Sequence, residues 1–134
     1  MRLILLLPAL AGSTLLGAAP SAPRALVGVQ PGLWEVSRSA VGHGAKRICL
    51  ADMLALASAG HPGERCARRV LSDQPGKLVL YLACPSDEFA RSRISVLTPR
   101  SLKVESQGVH RGAPFELTLH ARRIGACPRG KGQR

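Results

Sequence analysis

Hydrophobic and polar positions alternate at period two along most of the chain. In "GLWEVSRSAV" Trp34 and Val36 alternate with Glu35 and Ser37, the pattern of a strand with one buried face. "GHGA" supplies a turn, and "KRICL" reads as a second strand. The period then changes in "ADMLALASAG", where Asp52 suits an N-cap and Gly60 can end a helix in a left-handed conformation. Isolated helices below about 12 residues are marginal in water. This one must therefore dock, through Met53, Leu54 and Ala57.

After the loop "GHPGER", the segments "CARRVLSD" and "KLVLYLAC" flank "QPG", and Leu78, Leu80 and Leu82 alternate cleanly. "ARSRISVL" and "SLKVESQ" flank "TPR" in the same way. Finally "FELTLHARRIGAC" puts Phe115, Leu117, Leu119 and Ala121 on one face, with Glu116, Thr118, His120 and Arg122 on the other. Only the helical connection is long enough for a parallel crossover, so neighbouring strands are antiparallel. The expected fold is mainly β: a curved antiparallel sheet or small open barrel of about seven strands, with one short helix over an edge or end.

The chain opens "MRLILLLPALAGSTLLGAAPSAPRA", one early arginine, an apolar run and a small-residue cluster, the order of a secretory signal peptide. A membrane anchor is the rival, since Leu3 to Ala19 approaches the roughly 17–25 residues of a span. Pro8, Gly12, Ser13 and Gly17 disfavour it, and no basic stop-transfer cluster follows directly. The expected organisation is a signal peptide over 1–22, cut between 18 and 25, a single domain over 23–127, and a basic, disordered tail over 128–134. That places the protein in the periplasm or outside the cell, with no transmembrane span once the leader is removed.

An exported chain meets an oxidising compartment, and all four cysteines lie beyond the leader. A three-residue loop centred on Pro75 pairs residues whose numbers sum to 150, which sets Cys66 opposite Cys84. Directly opposed Cα atoms are about 4.5–5.5 Å apart, within the range of a disulfide. Cys49 is then left for Cys127, a bridge from the second strand to the end of the last. Zinc sites favour close pairs such as C-x₂₋₄-C, which are absent, as is a redox C-x-x-C. No metal and no cofactor is expected.

Nineteen Lys and Arg against 8 Asp and Glu give a net charge of +11, enough for long-range attraction to anionic partners. The charges are spread singly or in pairs, and aromatics do not interleave with them, so a specific nucleic-acid partner is not expected. The doublets Arg68-Arg69 and Arg122-Arg123 are the candidate ligand-binding residues, for an anionic ligand or envelope component. Successive strand residues face opposite sides of a sheet. Arg123 shares parity with Phe115, Leu117 and Leu119. Either that doublet lies beyond the buried stretch, or Arg123 enters a concave interior and meets a carboxylate or an anionic ligand.

Catalytic residues are not assigned. His43 and His61 lie in glycine-rich loops, His110 in "QGVHRG" and His120 on a polar strand face, so all four read as surface histidines. No nucleophile elbow, phosphate-binding loop, H-E-x-x-H or calcium loop occurs. The expectation is a non-catalytic envelope protein that acts by binding or structure. The alternative is a carrier of a lipid or other anionic small ligand in a cavity lined by Leu78, Leu80, Leu82, Leu117 and Leu119; a small hydrolase comes third.

"PGLWEVSR" after a leader, "CL" before a short helix, a cysteine-bounded middle and a closing "RRIGAC" together resemble the bacterial exported domain of unknown function 3617. The resemblance runs from Pro31 to Cys127; the chain departs from it in the basic tail and in "PSDEFARSR", which is less glycine-rich. It implies an exported, periplasmic protein of Gram-negative bacteria with no assigned activity and no catalytic residues to carry over.

Overall fold

The computed structural model describes residue 17 and residues 21–129. The expected leader falls almost wholly outside the described residues, as does the tail from 130 onward. Seven strands form: β1 Gly32–Ser37, β2 Lys46–Leu50, β3 Ala67–Gln74, β4 Lys77–Ala83, β5 Phe89–Thr98, β6 Ser101–His110 and β7 Ala113–Gly125. They make one antiparallel sheet in the order β2-β1-β7-β6-β5-β4-β3, which does not close. Strands β3 to β7 run as a meander, and β1 then pairs with β7 and carries β2 at its outer side.

Alternation decides which face is buried. Leu78, Leu80 and Leu82 of β4, Ile94 of β5, Leu102 and Val104 of β6 and Trp34 of β1 fill the core. Leu78 stands opposite Ile94, and Leu80 opposite Ser92. Ser92 and Ser106 are the small polar members of this face: the Ser92 hydroxyl bonds the Ala57 carbonyl at 2.7 Å and the Ser106 hydroxyl at 2.8 Å. Their size makes room for the segment that covers the sheet, and their hydrogen bonds tie it down.

That covering segment is a 3-10 helix, Met53–Ser58, where the composition of "ADMLALASAG" predicts an α-helix. Asp52 caps it as expected, accepting from the Leu54 amide at 2.9 Å. Three residues per turn bring positions i and i+3 into line. Met53 and Leu56, with Ala57, therefore form the buried side, and Leu54 is only half-buried. Gly60 does not terminate the helix in a left-handed conformation; Ala59, with φ −62°, is the C-cap. What needs a glycine at 60 is space, because a Cβ there would lie 2.4 Å from Phe115 Cζ.

Two further differences concern turns. The β3–β4 turn has two residues, Pro75 and Gly76 (φ +73°), and near it the paired numbers sum to 151, as in Gln74↔Lys77. A bulge at Leu71 then restores the expected sum of 150 from Val70↔Leu80 to Ala67↔Ala83. The predicted loop was one residue too long, and the bulge compensates before the cysteines are reached. The stretch "QGVHRG" is also not a loop: β6 continues to His110, and Arg111 (φ +51°) and Gly112 (φ +73°) turn the chain into β7. Both turn residues take left-handed angles, the requirement of a two-residue type I′ hairpin.

Each edge strand is fastened by a disulfide. Cys66 and Cys84, flanking β3 and β4, have their sulfurs at 2.08 Å, and Cys49 of edge strand β2 reaches Cys127 beyond β7 at 1.92 Å. Ahead of β1, the 3-10 turn Arg24–Leu26 buries Ala25, and Asp73 of β3 accepts from the Arg24 and Ala25 amides at 2.9 and 2.8 Å. Among the described residues no helix is long and apolar enough to cross a membrane.

Candidate functional site

The four arginines singled out from the sequence do not converge. Arg68 Nη1 donates to Asp52 Oδ2 at 2.8 Å, and the Arg69 guanidinium lies over the Tyr81 ring, 5.7 Å from its centre. Burial pushes the Asp52 carboxyl up, but the Arg68 hydrogen bond, the Leu54 amide and the Arg68 charge outweigh it and hold Asp52 below its ordinary value. Arg122 Nη2 donates to Glu35 Oε2 at 3.0 Å across the β1–β7 pair. Arg123 faces the side that carries Trp34, its partner on β1, yet among the described residues it meets no carboxylate: Nε donates to the Pro31 carbonyl at 3.0 Å. There it lies over Gly32, whose missing side chain leaves the space, since a Cβ would come within 2.8 Å of the guanidinium.

The side chains that do converge include two histidines expected at the surface, His61 and His110. His61 is 1% exposed, and it sits with Glu64, Glu88 and His110 at one rim of the sheet. Each is placed by a local feature. His61 and Glu64 are on the loop after the 3-10 helix, where the Glu64 amide bonds the His61 carbonyl at 3.2 Å. Gly60 lets this loop approach Phe115, whose ring packs edge-on against His61 at 5.4 Å. Glu88 follows Cys84 through a tight connector in which Ser86 and Asp87 take left-handed angles of φ +62° and +57°, and Cys84 N bonds Glu88 O at 2.8 Å. His110 ends β6, just before the left-handed turn.

Within the cluster, His110 Nδ1 is 3.1 Å from Glu88 Oε2, and His61 Nε2 is 2.8 Å from the Val109 carbonyl and 3.7 Å from Glu88 Oε2. Glu88 Oε1 accepts from the Arg111 amide. Burial works to raise the Glu88 carboxyl, but hydrogen bonds from His110, Arg111 and Gly112 and the charge of the His110 ring hold it below its ordinary value. Among the described residues two buried side-chain polar atoms have no hydrogen-bond partner, and both belong to this cluster: His61 Nδ1 and Glu64 Oε2. Two imidazoles and two carboxylates at this range are donors that a divalent metal ion accepts. His43 and His120 lie elsewhere, on the β1–β2 loop and on β7.

Between the β2 edge and the loop before β3 lies a groove of about 570 Å³, lined by Ile48, Leu50, Leu56 and Leu119 and by the polar side chains of His61, Glu64, Arg65 and Arg68. The leucine-lined interior proposed for a carrier is packed instead: Leu78, Leu80 and Leu82 have no exposed surface.

The class is thereby defined as an open, seven-stranded antiparallel sheet whose two edge strands are disulfide-fastened and whose buried face is covered by a 3-10 helix. The chain belongs to the family described as Protein of unknown function (DUF3617), matched over residues 29–127. No curated protein and no solved structure matches it significantly.

Proposed function

We propose that the protein is an exported, non-catalytic binding module, and that its working surface is the groove beside the Cys66–Cys84 bridge. The groove carries this reading: it is lined by apolar Ile48, Leu50, Leu56 and Leu119 and by two arginines, Arg65 and Arg68, against one carboxylate, Glu64. Such a lining suits a molecule with an apolar chain and an anionic head, and the net charge of +11 favours its approach. Two disulfides fit work in an oxidising compartment, where thiols do not persist. The carrier alternative survives in altered form, with the ligand in the groove rather than among Leu78, Leu80 and Leu82.

The test is binding of lysophosphatidylglycerol by the full chain exported to a periplasm, measured against lysophosphatidylcholine, with native mass spectrometry of the untreated protein for retained small molecules. The expected result is preference for the anionic lipid, reduced at least about tenfold by Arg65→Glu, a change of roughly 1.4 kcal/mol. Arg65 is the better target because Arg68 also holds Asp52. Equal binding of both lipids, unchanged by R65E, would remove the groove from consideration.

A further inference from the structure

We infer that His61, Glu64, Glu88 and His110 bind one divalent transition-metal ion, zinc or a metal of similar preference. This inference needs no lipid, although His61 and Glu64 also line the groove. One donor atom from each residue lies within 4.8 Å of the other three. His110 Nδ1 is 3.1 Å from Glu88 Oε2, His61 Nε2 is 3.7 Å from the same oxygen, and Glu64 Oε1 is 3.9 Å from His110 Nδ1. Ligand atoms at tetrahedral zinc bond lengths of about 2.0–2.1 Å sit about 3.3 Å apart. The two longer of these separations close by about half an ångström, and no pair in the set, all within 4.8 Å, has to close by more than about 1.5 Å.

Charge and burial point the same way. Two carboxylates share this volume, and among the described residues neither makes an ion pair with Lys or Arg; the nitrogens nearest them are those of the His61 and His110 rings. Glu64 Oε2 is buried without a hydrogen-bond partner, as is Nδ1 of the fully buried His61 ring. A buried carboxylate oxygen without a partner is costly, and a cation between Glu64 and Glu88 supplies one. When the ion binds, the His61 ring carries its proton on Nδ1 and offers the Nε2 lone pair. Binding through Nε2 takes that nitrogen out of its 2.8 Å contact with the Val109 carbonyl.

His61 also neighbours the sulfurs of Cys66 and Cys84, but these are bonded to each other and offer no thiolate. Four side-chain ligands make a closed shell, the pattern of a metal that holds structure rather than one that activates water. The ion would clamp the His61–Glu64 loop to the start of β5 and the end of β6.

The experiment is isothermal titration of Zn²⁺ into the untagged, non-reduced full chain, with zinc X-ray absorption on the loaded protein. One ion per chain is expected, with nitrogen and oxygen neighbours at about 2.0–2.1 Å, no sulfur, and a higher melting temperature. Replacing the buried His61 risks the fold, so the variants are Glu64→Gln and His110→Asn, checked by circular dichroism. Loss of an outer-sphere partner alone costs about 10–100-fold in metal affinity, so each variant should weaken zinc by at least that much. Absence of zinc binding, sulfur in the coordination shell, or wild-type affinity in a folded E64Q or H110N overturns the site.

Discussion

Gly108→Ala is the substitution that the sheet should tolerate least. Gly108 pairs with Ala90 across β5 and β6, and a Cβ at this position would lie 2.0 Å from the Phe89 carbonyl oxygen and 2.7 Å from Ala90 Cα. Both obstacles are main-chain atoms, so no side-chain rotation relieves them. Ordinary contact is near 3.5 Å, so the strands must part locally by more than about one ångström. Ladder hydrogen bonds of about 2.9 Å do not survive that displacement. Two lost bonds at about 0.5–1.5 kcal/mol each, added to about 1–3 kcal/mol for overpacking, give a destabilisation of about 2–6 kcal/mol. For a domain of about 110 residues each kcal/mol lowers Tm by about 3–6 °C. Thermal unfolding followed by circular dichroism, with the disulfides intact, should therefore show a fall of at least about 6 °C. Gly125→Ala is the control, since a Cβ there meets nothing within 4 Å. A G108A melting curve that overlays the G125A curve would refute the reasoning.

The two disulfides should differ in weight, because their sequence separations are 18 and 78 residues. Chain-entropy scaling gives on the order of 3 kcal/mol for the shorter loop and about 4.5 kcal/mol for the longer; urea unfolding of C66S/C84S and C49S/C127S reads the order directly, and the reverse order contradicts it. Asp52 has its folded pKa depressed, so the stability it contributes is present above the ordinary carboxyl range and is lost as pH falls through the folded value. Asp52→Asn should therefore lower stability at neutral pH and flatten the acid limb of a stability-versus-pH profile; an acid limb as steep as that of the wild type counts against the Arg68–Asp52 pair.

Strand existence was legible because half-buried strands write their burial into the sequence at period two. Leu78, Leu80 and Leu82 are read as one face and are one face. The helix type was not legible, since Ala and Leu suit either helix, and the choice lies in how Met53 and Leu56 meet the sheet. Nor was the bulge at Leu71, because an extra residue leaves no mark when both strand faces near the turn are partly exposed. The cysteine pairing nevertheless came through, since shortening the turn by one residue and adding one bulge residue leave the same partners opposed at Val70 and beyond.

The His–Glu cluster shows what single-residue surveys miss and register arithmetic can find. Taken one at a time, His61 in "GHPGER" and His110 in "QGVHRG" look solvated, because glycine-rich surroundings usually mean loops. Yet the hairpin around Pro99 and Arg100 pairs Phe89 with Val109, and the next step outward brings Glu88 beside His110. The numbering logic that places Cys66 opposite Cys84 thus also places one histidine against one carboxylate, had it been applied to "TPR". His61 and Glu64 carry no such signal. They reach the rim only because the 3-10 helix packs on the buried face, held by Ser92 to the Ala57 carbonyl, and because Gly60 admits the Phe115 ring. Half of the cluster is therefore encoded in a strand register and half in tertiary docking, so the first half alone could have been read along the chain.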